Sequence, residues 1–158
     1  MIPIRRLNHA VLYVRDVARS VAFYERAFGF VVIDGDPAGR AAFLRTSFGD
    51  NHHDLGLFQV GASAPGPERG RVGLYHLAWE VDSITDLAAA RDLLVEMGAL
   101  VGSSDHGASK SLYGEDPDGN EFEVMWSVPE EVWRTLEHAG VEPLDLDAEL
   151  ARWSPPPA

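Results

Sequence analysis

The chain contains no cysteine. That excludes a disulfide framework, a thiolate nucleophile and any Cys-ligated zinc or iron–sulfur centre, so a metal here must be held by His and carboxylate. Basic residues are scarce: 13 Lys+Arg stand against 25 Asp+Glu, and the resulting charge of −12 repels nucleic-acid phosphates and anionic membrane surfaces. No apolar run approaches the ~18 residues of a membrane-spanning helix. The N-terminal residues Met1-Ile2-Pro3-Ile4-Arg5-Arg6 lack the apolar stretch of a signal peptide. The expected setting is the cytoplasm, with neither nucleic acid nor membrane as partner. What is present is ordinary globular material: 46% hydrophobic and 24% charged residues over 158 positions suit one domain, or two small repeats sharing a core.

The order of elements repeats. Residues 7–14 are apolar and β-rich and are followed by Asp16, an N-cap residue, then by apolar positions at helical spacing up to Gly29. Three β-like runs follow near 30–34, 41–47 and 54–60. A connector rich in Gly and Pro occupies 61–70, after which the pattern restarts. A strand is expected over 74–81, a helix opened by Ser83 and Asp86 and closed by Gly98, and strands over 100–104, 109–115 and 121–127. His76 lies 67 residues after His9, and the same offset carries Val14 onto Val81 and Asp16 onto Ser83.

The expected fold is therefore α+β: two paired βαβββ modules, about 4–60 and 72–127 joined by a linker at 61–71, forming a domain over 1–128. Beyond it, 129–158 reads as a helical extension that starts at Pro129, with Trp133, Leu136, Leu146, Leu150 and Trp153 as apolar anchors and a frayed Pro155–Pro157 tail. A homo-oligomer is expected, and the extension is one candidate contact.

His9 and His76 occupy equivalent repeat positions inside β patterns, and Glu123 alternates with Phe122 and Val124. An ionised Glu turned inward is costly unless it meets a partner or a metal. Taken singly, either histidine reads equally as a hydrogen-bonded structural residue; together with Glu123 they read as a metal set. The fourth symmetric position, 67 residues before Glu123, is Gly56. Two His and one carboxylate with open positions is the arrangement of non-haem Fe(II) oxygenases, while Mn, Zn or Ni are also admissible.

Leu7-Asn8-His9-Ala10-Val11, the segment Ser20–Gly29 and Asp116-Pro117-Asp118-Gly119-Asn120-Glu121-Phe122-Glu123 resemble the vicinal oxygen chelate superfamily over residues 4–127. Asp105–Tyr113, and Asn51-His52-His53-Asp54-Leu55-Gly56-Leu57, are similar to single-domain catechol-type extradiol dioxygenases. That resemblance implies a curved sheet around a metal cleft. It implies Fe(II) on His9, His76 and Glu123, His106 as acid/base near dioxygen, and Tyr113 hydrogen-bonded to an oxygen of a catechol-like substrate. A turn centred on Asp118 independently sets Tyr113 opposite Glu123. Tyr113 also reads as a packing residue, and His106 as a loop imidazole. Of His52 and His53 one is left as a candidate outer-sphere group, and Lys110 is expected to solvate a strand edge. Trp79, Phe43, Phe58 and Met125 are pocket or core candidates, with core preferred. Two alternatives stand beside the dioxygenase: another metal-dependent isomerase or lyase of the superfamily, and a metal-free small-molecule-binding protein of the antibiotic-resistance type.

Overall fold

The computed structural model describes residues 1–136 and 140–154. It divides into two compact units, Met1–Pro67 and Glu68–Ala158. The first carries β1 (Ala10–Val14), α1 (Val17–Phe28), β2 (Val31–Asp36), β3 (Ala41–Arg45) and β4 (Leu55–Gln59). The second carries β5 (Leu77–Glu80), α2 (Ile84–Glu96), β6 (Leu100–Asp105), β7 (Ser109–Glu115) and β8 (Glu121–Ser127), then α3 (Glu130–Trp133) and α4 (Leu146–Trp153).

Local chemistry sets the helix limits. Asp16 accepts a hydrogen bond from Arg19 N at 2.9 Å, and Ser83 Oγ accepts from Asp86 N at 3.1 Å, so each helix starts with a satisfied first turn. Gly29 adopts φ 63°, the left-handed conformation that ends α1 at little steric cost. Strands and helices open at the same offset: Ala10 and Leu77 begin β1 and β5, and Val17 and Ile84 begin α1 and α2.

Each unit has one four-stranded mixed sheet, ordered β1-β4-β3-β2 and β5-β8-β7-β6. β1 runs parallel to β4 and β5 parallel to β8, while the remaining pairs are antiparallel. In the first unit α1 packs on β3 and β4, burying Val17, Val21 and Tyr24 with Leu44, Leu55 and Leu57. Each such aliphatic side chain removed from water contributes roughly 1.5–3 kcal/mol. In the second, side chains alternate along β7 and β8, so Leu112, Val124 and Trp126 turn toward α2 and α4. Ser111, Tyr113, Glu121, Glu123 and Met125 line the opposite face.

Several expectations are corrected. His9 and His76 stand one residue before β1 and β5 rather than inside them. In the first unit the ladder begins only at Ala10, opposite Leu55, because the Asn51 side chain takes the Asn8 carbonyl just ahead of it. Phe58 is exposed, and Phe43, Trp79 and Met125 are half-buried, since the fully buried positions are filled mainly by aliphatic residues.

Lys110 does not solvate an edge. It shares the helix-facing side of β7 with Leu112 and is 4% exposed, its Nζ 2.6 Å from Asp105 Oδ2 and 3.5 Å from Glu149 Oε2 on α4. Within the extension Leu146 is buried and Trp153 meets Trp126 edge-on at 5.7 Å, but Trp133 and Leu136 are exposed because α3 lasts one turn. Residues 155–157 lie outside the described residues. No helix among the described residues is long and apolar enough to cross a membrane.

Candidate functional site

The turn after β7 fixes the register of the candidate residues. Asp116 Oδ1 accepts from Asp118 N at 2.8 Å and Asn120 N at 2.9 Å, its Oδ2 accepts from Asn120 Nδ2 at 2.9 Å, and Gly119 takes φ 85°. Asp116 is thus occupied by N–H groups of its own turn, and the hairpin leaves Tyr113 directly opposite Glu123.

On the next strand, parallel β5, Ala78 pairs with Glu123 and His76 lies just ahead of it. His76 Nε2 stands 3.0 Å from Glu123 Oε2, and the two rings of His76 and Tyr113 are 5.8 Å apart. Glu123 is 9% exposed, an enclosure that an ionised carboxylate tolerates only beside a cation or strong donors.

On the hairpin before β7, His106 Nε2 lies 2.8 Å from the Tyr113 hydroxyl, and His106 Nδ1 lies 2.9 Å from the carbonyl oxygen of Gly140. Burial pushes the Tyr113 hydroxyl above its ordinary pKa and the Glu123 carboxylate adds to the shift, so the phenol keeps its proton at neutral pH. Tyr113 is therefore a hydrogen-bond donor.

His9, in the first unit, is exposed, with Nδ1 2.8 Å from Asn8 Oδ1. Asn8 Nδ2 donates to Asn51 Oδ1 at 2.9 Å, and buried Asn51 in turn donates to His53 O and Asp54 Oδ1, both at 3.1 Å. The His53 ring is 4.4 Å from that of His9, and its pKa is lowered by burial and by the neighbouring His9 and His52. Sequence reasoning missed Asn51, whose burial nothing in its neighbourhood announces, and Gly140, which acts through its backbone. Within one unit the structure brings together His76, Glu123, Tyr113 and His106; His9 is placed in the other.

Among the described residues no group of three or more His, Asp or Glu is gathered closely enough to hold a metal. The His76–Glu123 pair nevertheless fits one. Two adjacent ligands with metal bonds of ~2.1 Å at right angles stand ~3.0 Å apart. His76 Nδ1 is buried without a hydrogen-bond partner, 3.7 Å from Glu121 Oε1. The tautomer that offers an Nε2 lone pair to a cation carries its proton on this orphaned Nδ1, toward that carboxylate.

Fold and sequence place the chain in a family. It belongs to the glyoxalase/bleomycin resistance protein/dioxygenase superfamily, whose family model matches residues 6–124. More particularly, it is 34% identical over 129 residues to a catechol-2,3-dioxygenase of Bacillus subtilis (strain 168), covering 81% of this chain and 44% of that protein. It is 33% identical over 134 residues to biphenyl-2,3-diol 1,2-dioxygenase 3 of Rhodococcus globerulus, covering 80% and 67%. The chain thus spans less than half the length of the Bacillus relative. The crystal structure of lactoylglutathione lyase from Agrobacterium tumefaciens superposes with a TM-score of 0.59 at 25% identity, covering 79% of this chain and 96% of that one.

Proposed function

We propose that the protein is an Fe(II)-dependent extradiol-type dioxygenase that opens a catecholic ring with O2. The observation that carries this reading is the chain of contacts across one sheet face: His76 on Glu123, Glu123 opposite Tyr113, and Tyr113 on His106. Kinship with proteins named for catechol and biphenyl-diol cleavage supports it.

His76 and Glu123, completed by His9, would hold the metal; Mn, Zn and Ni suit the same donors. Fe(II), when bound, supplies a Lewis acid for two vicinal oxygens and the electrons that dioxygen chemistry needs. In the free protein the one Tyr113 hydroxyl proton is given to His106 Nε2, 2.8 Å away; turned instead to a substrate oxygen on binding, it would orient the diol and free Nε2. Through Nε2, His106 can take a proton from a bound hydroxyl and return it later. The two modules are proposed to act as one metal-binding domain over 1–128 with 129–158 as its extension. A cytoplasmic setting suits the cysteine-free composition, and a homo-oligomer is proposed with it.

The deciding experiment loads the protein anaerobically with competing Fe(II), Mn, Zn and Ni and then screens catechols under O2. About one Fe per chain together with ring-opened product supports the proposal. Preference for Zn or Ni without oxygen uptake shifts the reading to an isomerase or lyase, a class favoured by the likeness to the Agrobacterium lyase. No metal under any condition makes it a binding protein.

Replacing Tyr113 by Phe is expected to lower kcat for ring opening by about 10- to 100-fold with metal content unchanged. Undiminished turnover removes Tyr113 from the mechanism.

A further inference from the structure

The extension after β8 comes back to the hairpin that carries His106. Val128 N donates to Ala108 O at 3.0 Å where the extension leaves the sheet. Farther along, Asp105 and Glu142 exchange both backbone hydrogen bonds, Asp105 N to Glu142 O at 2.8 Å and Glu142 N to Asp105 O at 2.9 Å. This isolated antiparallel bridge covers the end of β6, at the residue immediately before His106. α4 then fastens the strap to the sheet: Leu146 is buried, Arg91 Nη1 pairs with Asp147 at 3.2 Å, and Glu149 shares Lys110 with Asp105. The Gly140 carbonyl, two residues ahead of the bridge, is thereby held against the His106 ring.

A carbonyl oxygen can only accept, so at 2.9 Å His106 Nδ1 must be the protonated nitrogen. A neutral imidazole has one N–H, which leaves Nε2 as the acceptor for the Tyr113 hydroxyl 2.8 Å away. We infer that the C-terminal strap is a positioning element of the site: the Gly140 carbonyl selects the Nδ1–H tautomer of His106 and turns its basic Nε2 toward Tyr113. Catalytic use of that nitrogen rests on the proposed dioxygenase reading; the tautomer itself does not. A group that only donates, in place of the carbonyl, would select the opposite tautomer, because Nδ1 would then have to accept.

The test reads the tautomer directly, by long-range 1H–15N correlation of the imidazole in the full 15N-labelled chain, at a pH where His106 is neutral. His106→Gln assigns the signal by its loss. The wild-type ring is expected to show a protonated Nδ1 and an unprotonated Nε2. Glu142→Pro removes the N–H that donates to Asp105 O and leaves His106, Tyr113 and the α4 anchors in place. In this variant the Nε2–H form is expected to gain at least about a third of the population. Under Fe(II), kcat should drop about tenfold with KM changed less than about twofold. Glu142→Ala, which keeps the N–H, should behave as wild type. A wild-type ring protonated on Nε2 overturns the inference, as does a Glu142→Pro protein whose tautomer is unchanged. Should Glu142→Pro fail to fold, the wild-type spectrum decides alone. The expected tautomer in a protein inert toward every catechol leaves the strap's role standing and removes the dioxygenase reading.

Discussion

Glu123→Gln is expected to abolish metal retention while leaving the fold intact. The substitution keeps the shape of the side chain and removes its charge, so the atom 3.0 Å from His76 Nε2 becomes part of a neutral amide. On the proposed ligand set the metal would lose its carboxylate ligand, and the fall in affinity should be at least about 100-fold, the upper end of what weaker outer-sphere changes produce. The metal-free protein gains from the same change, because an amide at a 9% exposed position costs less to enclose than a carboxylate. Its unfolding free energy should therefore stay within about 1 kcal/mol of wild type. Metal analysis after anaerobic loading and denaturant titration of the metal-free chain separate the two effects. Full metal content with an unchanged circular dichroism spectrum would sink the ligand assignment.

Lys110→Met is expected to cost about 3 kcal/mol, the loss typical of breaking a buried ion pair by removing one partner. Methionine fills much of the same volume, so the loss comes from stranding Asp105 and Glu149 beneath α4, with side chains 25% and 14% exposed. The double variant Lys110→Met with Asp105→Asn should recover part of the loss, because one stranded charge disappears with its partner.

The pair also has a pH signature. Burial pushes the Asp105 carboxyl up, but the Lys110 ammonium and the Gly107 N–H, 2.7 Å from Oδ1, more than offset it and leave the pKa below the ordinary aspartate value. A depressed folded-state pKa stabilises fully above the unfolded value, ~3.9, and the contribution fades as pH falls toward the folded one. The gap between wild type and Lys110→Met should accordingly narrow below about pH 4. Urea titrations at neutral and acid pH check this, and a loss under about 1 kcal/mol at neutral pH would contradict a buried, structurally required ion pair.

What could be read from the chain and what could not divide by the range of the interaction. Helix starts at Asp16 and Ser83 and the stop at Gly29 were legible because caps act within one turn. The Tyr113–Glu123 register followed from the turn at 116–120, whose side chains bond to their own backbone. Lys110 reads as exposed from sequence because α4, which covers it and adds Glu149 to the nearer Asp105, arrives much later in the chain and seats by tertiary packing. The environment of His106 was invisible for a different reason: Gly140 contributes a carbonyl, and a backbone carbonyl leaves no trace in the choice of residue. His9 and His76 were recognisable as equivalent, yet their places ahead of the strands were not, because neighbouring polar groups rather than propensity decide where a ladder begins.

Gly56 bears on the history of the duplication. It occupies the position opposite Val11 that Glu123 occupies opposite Ala78. A Cβ there would lie 3.3 Å from Val11 Cγ2 and 3.5 Å from the Phe43 ring, so a carboxylate at this position would have to share its space with both side chains. The two halves have diverged at this position, and an acid placed at 56 would need Val11 or Phe43 to shift with it. A chimera of two first halves would carry imidazoles with no acid at this position, and one of two second halves would carry an acid twice over.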